Sequence, residues 1–179
     1  MQTNFSWAYV LLAHHEGGFA DHSNDPGGMT NYGISLRFLR EMGIDIDGDG
    51  DVDQDDIRAI TPNKSRDIYK EKFWDPAKCD QIRSTMIAAK VFDMAVNMGQ
   101  KQAYLLVQRA VNALGYKPKL KVDGAVGAKT LEAINSYERE DYALIQKVRD
   151  EQFKFYDKII EKNPDLADFE LGWRRRAAA

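Results

Sequence analysis

The most apolar part of the chain reads STMIAAKVFDMAVNM over residues 84–98. Apolar side chains cover most of the circumference that this segment would have as a helix, which is typical of a helix buried in a core. Helical spacing continues on both sides, over residues 5–16, 35–42, 61–74, 100–114, 129–136 and 141–161. No segment alternates apolar and polar residues over the length of a strand. The pattern therefore predicts an all-α protein with residues 84–98 as its central helix.

Length and composition limit the class of protein. The chain has 179 residues, 44% of them hydrophobic and 30% charged, which suits one domain or one domain with a small appendage. No run approaches the roughly 18 apolar residues of a membrane span, and the first residues lack the features of a secretory signal. We expect no membrane insertion, and synthesis in the cytoplasm without a Sec signal. The single cysteine, Cys79, excludes an internal disulfide framework and a multi-cysteine metal site.

The net charge of −3 conceals an uneven distribution of acidic residues. Seven aspartates and no lysine or arginine fall within residues 45–56, and the other 21 acidic residues are outnumbered by 25 basic ones. A mildly acidic chain argues against a nucleic-acid partner. A cation bound at the acidic segment would cancel part of its charge.

The acidic segment reads DIDGDGDVDQDD over residues 45–56 and follows the template of an EF-hand calcium loop. The register that begins at Asp45 places Gly50 at the sharp turn, whereas the register that begins at Asp47 would place Val52 there. The predicted metal-binding residues are Asp45, Asp47, Asp49, Asp51 through its backbone carbonyl, Asp53 and Asp56, the last where the template has glutamate. We predict a structural calcium ion that stabilises the turn between two helices. A solvated acidic surface loop is the alternative.

A glutamate and a loop rich in glycine form the second candidate site. Glu16 ends the first predicted helix, where the helix dipole disfavours a carboxylate and so favours a general acid. Two glycines follow it and leave space for a bulky substrate. The loop beyond supplies a second carboxylate, Asp25, and a hydroxyl, Thr30. An acid, a carboxylate and a group that positions water are the requirements of glycoside hydrolysis.

The histidines of this region suggest an alternative zinc site. All three of them, His14, His15 and His22, lie near Glu16 and Asp25. Adjacent histidines on a helix point about 100° apart, and no His-Glu-x-x-His pattern places two on one face. The spacing therefore favours histidines that line a cleft or pack within the protein.

Six motifs in the first part of the chain together resemble those of a known family. They are EGGF at residues 16–19, DPGGMTNYGI at 25–34, DGDVD at 49–53, IRAITP at 57–62, FWD at 73–75 and FDMAVNMG at 92–99. The family that they resemble is the glycoside hydrolase family 108 muramidases. The later part is similar to the peptidoglycan-binding region that accompanies these enzymes, with QRAVNALG at residues 108–115 and VDGAVGAKTLEAI at 122–134.

The resemblance implies a lysozyme-like catalytic domain over residues 1–99, with the calcium loop inserted at 45–56. It implies a small helical peptidoglycan-binding region over 100–179. The activity would be hydrolysis of the β-1,4 bond between N-acetylmuramic acid and N-acetylglucosamine, with Glu16 as proton donor. Asp25 or Thr30 would then orient the attacking water. Tyr32 could stack on a sugar ring, and Asn97 could donate or accept hydrogen bonds with a sugar.

A different class remains open at this point, a non-enzymatic protein that binds the cell wall in a calcium-dependent way or regulates secretion. Such a protein would keep the calcium loop but would not need the exposed glutamate. In either case we expect peptidoglycan glycan strands as the partner and a monomer in solution. We also expect action at the cell wall or in the periplasm after release, through a holin-type pore or a dedicated secretion system.

Overall fold

The computed structural model describes residues 4–16 and 29–178, and for residues 14–16 it describes the backbone alone. The described part is mostly helical, as predicted. Its α-helices are α1 (Asn4–Glu16), α2 (Leu36–Met42), α3 (Gln54–Ala59), α4 (Pro62–Tyr69), α5 (Thr85–Met98), α6 (Gln100–Ala113), α7 (Ala128–Asn135), α8 (Asp141–Lys162) and α9 (Glu170–Ala178). A π-helical turn over Lys70–Trp74 follows α4, and 3₁₀ turns cover Cys79–Gln81 and Pro164–Phe169.

Hydroxyl side chains begin three of the helices. Ser35 accepts a hydrogen bond from the N–H of Phe38, and Thr61 accepts one from the N–H of Lys64. Ser84 does the same for α5, where its hydroxyl oxygen accepts from the backbone of Ile87. Each cap satisfies one N–H group that has no partner within its helix, so these starts are readable in the sequence.

One compact unit contains residues 4–8 and 73–178. Its core is built on α5, α6 and α8, with Phe5, Trp74 and Phe92 in mutual contact at ring separations of 5.3, 5.4 and 5.9 Å. The tilted and edge-to-face geometry suits the charge distribution of aromatic rings. The predicted central helix is thus α5, whose Val91, Phe92 and Met94 are fully buried.

The second compact unit contains residues 9–16 and 29–72. Its buried residues include Leu39 of α2 and Ile57 of α3, both without exposed surface. The hydroxyl of Tyr9 lies 3.1 Å from Ser65 Oγ, and the ring centroids of Tyr9 and Tyr69 are 5.9 Å apart. This unit carries the acidic segment, the C-terminal end of α1 with Glu16, and the segment with Thr30 and Tyr32. The predicted boundary between a domain over residues 1–99 and a region over 100–179 stays a prediction.

Four elements, two strands and two helices, lie where the sequence predicts none. Strands β1 (Thr30–Asn31) and β2 (Ile34–Ser35) form an antiparallel hairpin too short for any periodicity to reveal. Helix α3 begins inside the acidic segment, where the sequence predicted a loop. Helix α9 occupies the tail, to which we assigned no element. No helix in the described parts of the chain combines the length and the apolar character needed to cross a membrane.

Candidate active site and acidic loop

Glu16 is the last residue of α1, the position that the sequence predicts for it. Its side chain, the side chains of the histidines and all of Asp25 lie outside the described residues. The proposed general acid and second carboxylate therefore stay predictions, and so does the rejection of a zinc site.

The hairpin presents two of the predicted residues. Thr30 pairs with Ser35 at the open end, and Tyr32 and Gly33 form the turn with φ of 49° and 76°. Two consecutive left-handed residues make the tight turn that matches the twist of a hairpin, and glycine adopts that conformation without a steric penalty. The backbone carbonyl of Tyr32 accepts a hydrogen bond of 3.4 Å from the hydroxyl of Tyr69. Thr30 and Tyr32 are half-buried, so each keeps part of its surface open to solvent.

Asn31 was not among the predicted site residues, and it fixes the position of the hairpin. Its side chain is buried, and Nδ2 donates to the carbonyl oxygens of Ile57 at 3.0 Å and Ile60 at 3.3 Å. Those two carbonyls lie at the C-terminal end of α3, where the carbonyl of Ile57 also accepts the N–H of Ile60 at 3.4 Å. The amide thus connects the hairpin to the helix that follows the acidic segment. No local pattern predicts this, because the two partners are separated by 26 and 29 residues.

The acidic segment folds into successive turns. The carboxylate of Asp45 accepts the N–H of Gly48 at 2.6 Å and of Gly50 at 3.0 Å. Asp47 and Asp49 each accept the N–H of the residue two positions later, at 3.3 and 3.1 Å. The carboxylates of Asp45, Asp47 and Asp49 come within 4.8 Å of one another, as do those of Asp51, Asp53 and Asp56. Either group of three carboxylates could hold a metal ion.

Asp56 differs from the other aspartates because it is buried. Its carboxylate accepts the backbone N–H groups of Ile46 at 2.5 Å and Asp53 at 2.8 Å, with Asp47 at 3.4 Å. Burial opposes ionisation, but these N–H groups outweigh it and hold the pKa of Asp56 below its usual value. Asp56 also completes a capping box with Asp53 at the start of α3. The residue at the twelfth position of the loop therefore joins the start of the acidic segment to α3.

Two exposed aspartates of the segment, Asp47 and Asp51, have raised pKa values. Desolvation, followed by the charges of Asp49, Asp56 and Asp45, raises the pKa of Asp47. The charge of Asp49, then desolvation and the other neighbouring carboxylates, raises the pKa of Asp51. A cation among these groups would relieve the repulsion and lower both pKa values.

Asn97 lies on α5, in the compact unit that does not contain the hairpin. Its Nδ2 donates to the hydroxyl of Tyr156 at 3.4 Å, and its side chain is half-buried. The hydrogen bond gives Asn97 a structural partner on α8. Its role in sugar binding stays a prediction.

Comparison with known proteins assigns both regions of the chain. Residues 9–99 match the family model described as Glycosyl hydrolase 108. The chain belongs to this family. Residues 102–178 match the model described as Predicted Peptidoglycan domain. The structure of SagA from Brucella abortus is similar, with a TM-score of 0.73 and 28% identity over 97% of this chain and 89% of that one. A search of curated proteins gave no match.

Membership of the glycosyl hydrolase 108 family decides the class of activity. The chain is a glycoside hydrolase, and its second region makes peptidoglycan the substrate, so it is a peptidoglycan hydrolase of the muramidase type. Such a protein acts at the cell wall. The resemblance identified from the sequence motifs is confirmed, and the non-enzymatic alternative loses its support.

Proposed function

We propose that this peptidoglycan hydrolase uses Glu16 as its general acid. Glu16 would protonate the glycosidic oxygen between N-acetylmuramic acid and N-acetylglucosamine as that bond breaks. The observation that supports this role is the place of Glu16 at the end of α1, within the matched region of residues 9–99. The negative end of the helix dipole favours the protonated carboxyl group that a general acid needs.

Asp25 and Thr30 are the candidates for orienting the attacking water. Water so placed would attack the anomeric carbon to complete hydrolysis. A carboxyl separation of about 6.5 to 9.5 Å between Glu16 and Asp25 would favour inversion, and a shorter one retention. Tyr32, at the tip of the hairpin, would stack on a sugar ring, and Asn97 would bind sugar through its amide.

Calcium would have a structural role in this mechanism. The oxygen-rich loop from Asp45 to Asp56 has the donor chemistry that calcium prefers. The loop leads directly into α3, and the carbonyls at the end of α3 hold Asn31 of the hairpin. Calcium binding at the loop would therefore stabilise the position of Thr30 and Tyr32 without contact with the substrate.

The proposal extends to the wider setting of the enzyme. A monomeric hydrolase of this kind would reach the wall after release through a holin-type pore, as endolysins do, or through a dedicated secretion system. Glycan strands would be its partner, bound by the catalytic region over residues 1–99 and retained by the region over 100–179.

The test compares the wild type with Glu16→Gln on purified peptidoglycan sacculi. Loss of a general acid typically slows hydrolysis by 10² to 10⁴, so Glu16→Gln should release almost no new ends. Mass spectrometry of the products identifies the new reducing end, which should be muramic acid. Glu41→Gln is the matched control, because Glu41 is exposed in the same unit and its one ion pair with a described residue is a surface contact of 3.5 Å with Arg37. Activity of Glu16→Gln at the level of Glu41→Gln would remove Glu16 from the mechanism.

A further inference from the structure

A cavity of about 680 Å³ lies in the region that matches the peptidoglycan domain. It is bounded by the loop between α6 and α7 and by the first turn of α7, over residues 116–132. Its volume is within the roughly 300 to 1,000 Å³ of sites for small ligands. None of the proposed catalytic or metal-binding residues lines it.

Two side chains from α6 hold the loop of this cavity in place. Gln108 is 1% exposed, and its Oε1 accepts the N–H groups of Asp123 at 3.0 Å and Gly124 at 2.9 Å. One turn later, the amide of Asn112 bonds both the N–H and the C=O of Leu120 at 2.8 Å. The cavity wall is therefore formed before any ligand arrives, which reduces the entropy lost on binding.

The lining carries an excess of positive charge. Four lysines line the cavity, Lys117, Lys119, Lys121 and Lys129, against two acidic residues, Asp123 and Glu132. Lys121 lies 3.7 Å from the carboxylate of Asp123, which also accepts the N–H of Ala125 and the amide of Gln108. These two hydrogen bonds are the main reason that the pKa of Asp123 is lowered. The carboxylate of Asp123 therefore stabilises the loop itself. Among the described residues, no acidic side chain forms a salt bridge with Lys117, Lys119 or Lys129.

Peptidoglycan offers anionic groups on its peptides and none on its sugar chain. The lactyl carboxyl of muramic acid is consumed in the amide bond to the peptide, so the glycan backbone is neutral. The stem peptide carries free carboxylates, and its diamino residue carries an ammonium group when it is not cross-linked. A ligand that carries both charges fits this lining, which combines Glu132 with three lysines that form no salt bridge to a described acidic side chain.

We propose that this cavity binds the stem peptide of peptidoglycan through its carboxylates, with Lys119 and Lys129 as the principal contacts. The proposal rests on the action of the chain on peptidoglycan, but not on the identity of its catalytic residues. The site would hold the enzyme on its polymeric substrate by the peptides while the catalytic region acts on the glycan. Walls with unmodified stem carboxylates would then be bound more tightly than walls in which these groups are amidated.

The experiment measures binding of the tripeptide L-Ala-γ-D-Glu-meso-diaminopimelate to the full chain by isothermal titration calorimetry. This probe has no glycosidic bond, so binding is independent of catalysis. The variant is Lys119→Gln with Lys129→Gln, and the matched control is Lys158→Gln with Lys162→Gln, two exposed lysines of α8 away from the cavity. The wild type and the control should bind one tripeptide with equal affinity. The cavity variant should bind at least tenfold more weakly, and added salt should weaken binding by the wild type.

Several outcomes would overturn the proposal. Equal affinity of the wild type and the cavity variant would place the peptide elsewhere, and no binding of the tripeptide by the wild type would remove it altogether. Binding of a glycerol-phosphate oligomer in place of the tripeptide would assign the cavity to a phosphate-bearing wall polymer. Glu16→Gln should retain tripeptide binding while it loses hydrolysis of sacculi, so failure of the binding site and failure of the proposed mechanism give different results.

Discussion

Three residues, Asn31, Gln108 and Gly124, each hold a loop in place through contacts that are distant in sequence. The buried side-chain amides do this by hydrogen bonds: Asn31 donates to the carbonyl of Ile57, and Gln108 accepts the N–H of Gly124. Gly124 lets its loop lie close to α6 because it has no side chain. Its φ is +74°, and a Cβ there would lie 2.7 Å from the carbonyl oxygen of Lys101. These residues position other groups and carry no chemistry themselves.

Substitution of Gly124 by alanine should destabilise the protein more than the same change at Gly115. Both glycines have positive φ, so each substitution has a backbone cost of about 1 to 2 kcal/mol. Only Gly124 faces a close neighbour, while a Cβ at Gly115 would meet nothing within 4 Å. The clash should add about 1 to 3 kcal/mol to the loss in free energy of unfolding, measured by denaturant titration of both variants. Equal losses would mean that the loop moves away from Lys101 without cost.

At the scale of elements, the acidic segment and the hairpin form one connected piece. Asp56 accepts N–H groups from the beginning of the segment and lies in the first turn of α3, while Asn31 holds the end of α3. A change at the aspartates can therefore reach Thr30 and Tyr32 through a single short helix. Removal of calcium should accordingly lower the thermal stability of the protein more than it lowers the rate of hydrolysis.

Chelation of calcium should lower the melting temperature of the wild type. Calcium at about 100 times its dissociation constant would contribute about 2.7 kcal/mol, and for a chain of this size each kcal/mol corresponds to about 2 to 4 °C. Scanning calorimetry with calcium and with a chelator should therefore show a difference of about 5 to 10 °C. Turnover of sacculi measured well below the melting temperature should fall by a smaller factor.

Two variants make the chelation experiment specific to the acidic segment. Asp45→Asn removes a predicted ligand, so the melting temperature of this variant should respond little to the chelator. Asp168→Asn changes an exposed aspartate outside the segment and should respond as the wild type does. An unchanged melting temperature of the wild type on chelation would contradict a structural calcium ion.

At the scale of the whole chain, three cations, of which Lys90 is buried, hold the C-terminal helix α9 in place within the unit that also contains α5 and α8. Lys90 Nζ donates to the carbonyl oxygen of Ala177 at 2.7 Å, and Arg149 Nε donates to the same oxygen at 3.0 Å. Arg176 forms an ion pair of 2.9 Å with Asp93. Cations at the C-terminal end of α9 complement its dipole and its unsatisfied carbonyls.

Because Lys90 is buried, its titration makes the free energy of unfolding depend on pH. Desolvation, opposed by Asp93 and reinforced by Arg149 and Arg176, lowers the pKa of Lys90 to about 8. Between that value and the ordinary pKa of lysine, the unfolded chain holds a proton that the folded chain has lost, so the contribution of Lys90 to stability rises with pH. The free energy of unfolding of the wild type relative to Lys90→Met should therefore increase by about 2 kcal/mol from pH 7 to pH 10. A difference independent of pH would show that Lys90 keeps an ordinary pKa.

Local patterns in the chain were enough to predict most of the helices and the family. Helical spacing acts within a few residues, so the predicted helix over residues 84–98 agrees with α5 to within one residue. The position of Glu16 at a helix end follows from the two glycines after it, by the same local logic. The motifs around Glu16 and Asp25 were specific enough to identify the hydrolase without coordinates.

Contacts between distant segments decided the rest. The two-residue strands, the α3 helix within the acidic segment and the tail helix α9 are stabilised by partners far along the chain, such as Ile57 for Asn31 and Lys90 for Ala177. The sequence did not predict the lysine-rich cavity either, although the alternation of Lys117, Lys119 and Lys121 is visible in it. Side-chain spacing reports only how a segment folds on itself, whereas a buried amide or a cavity exists only once separate segments have packed together.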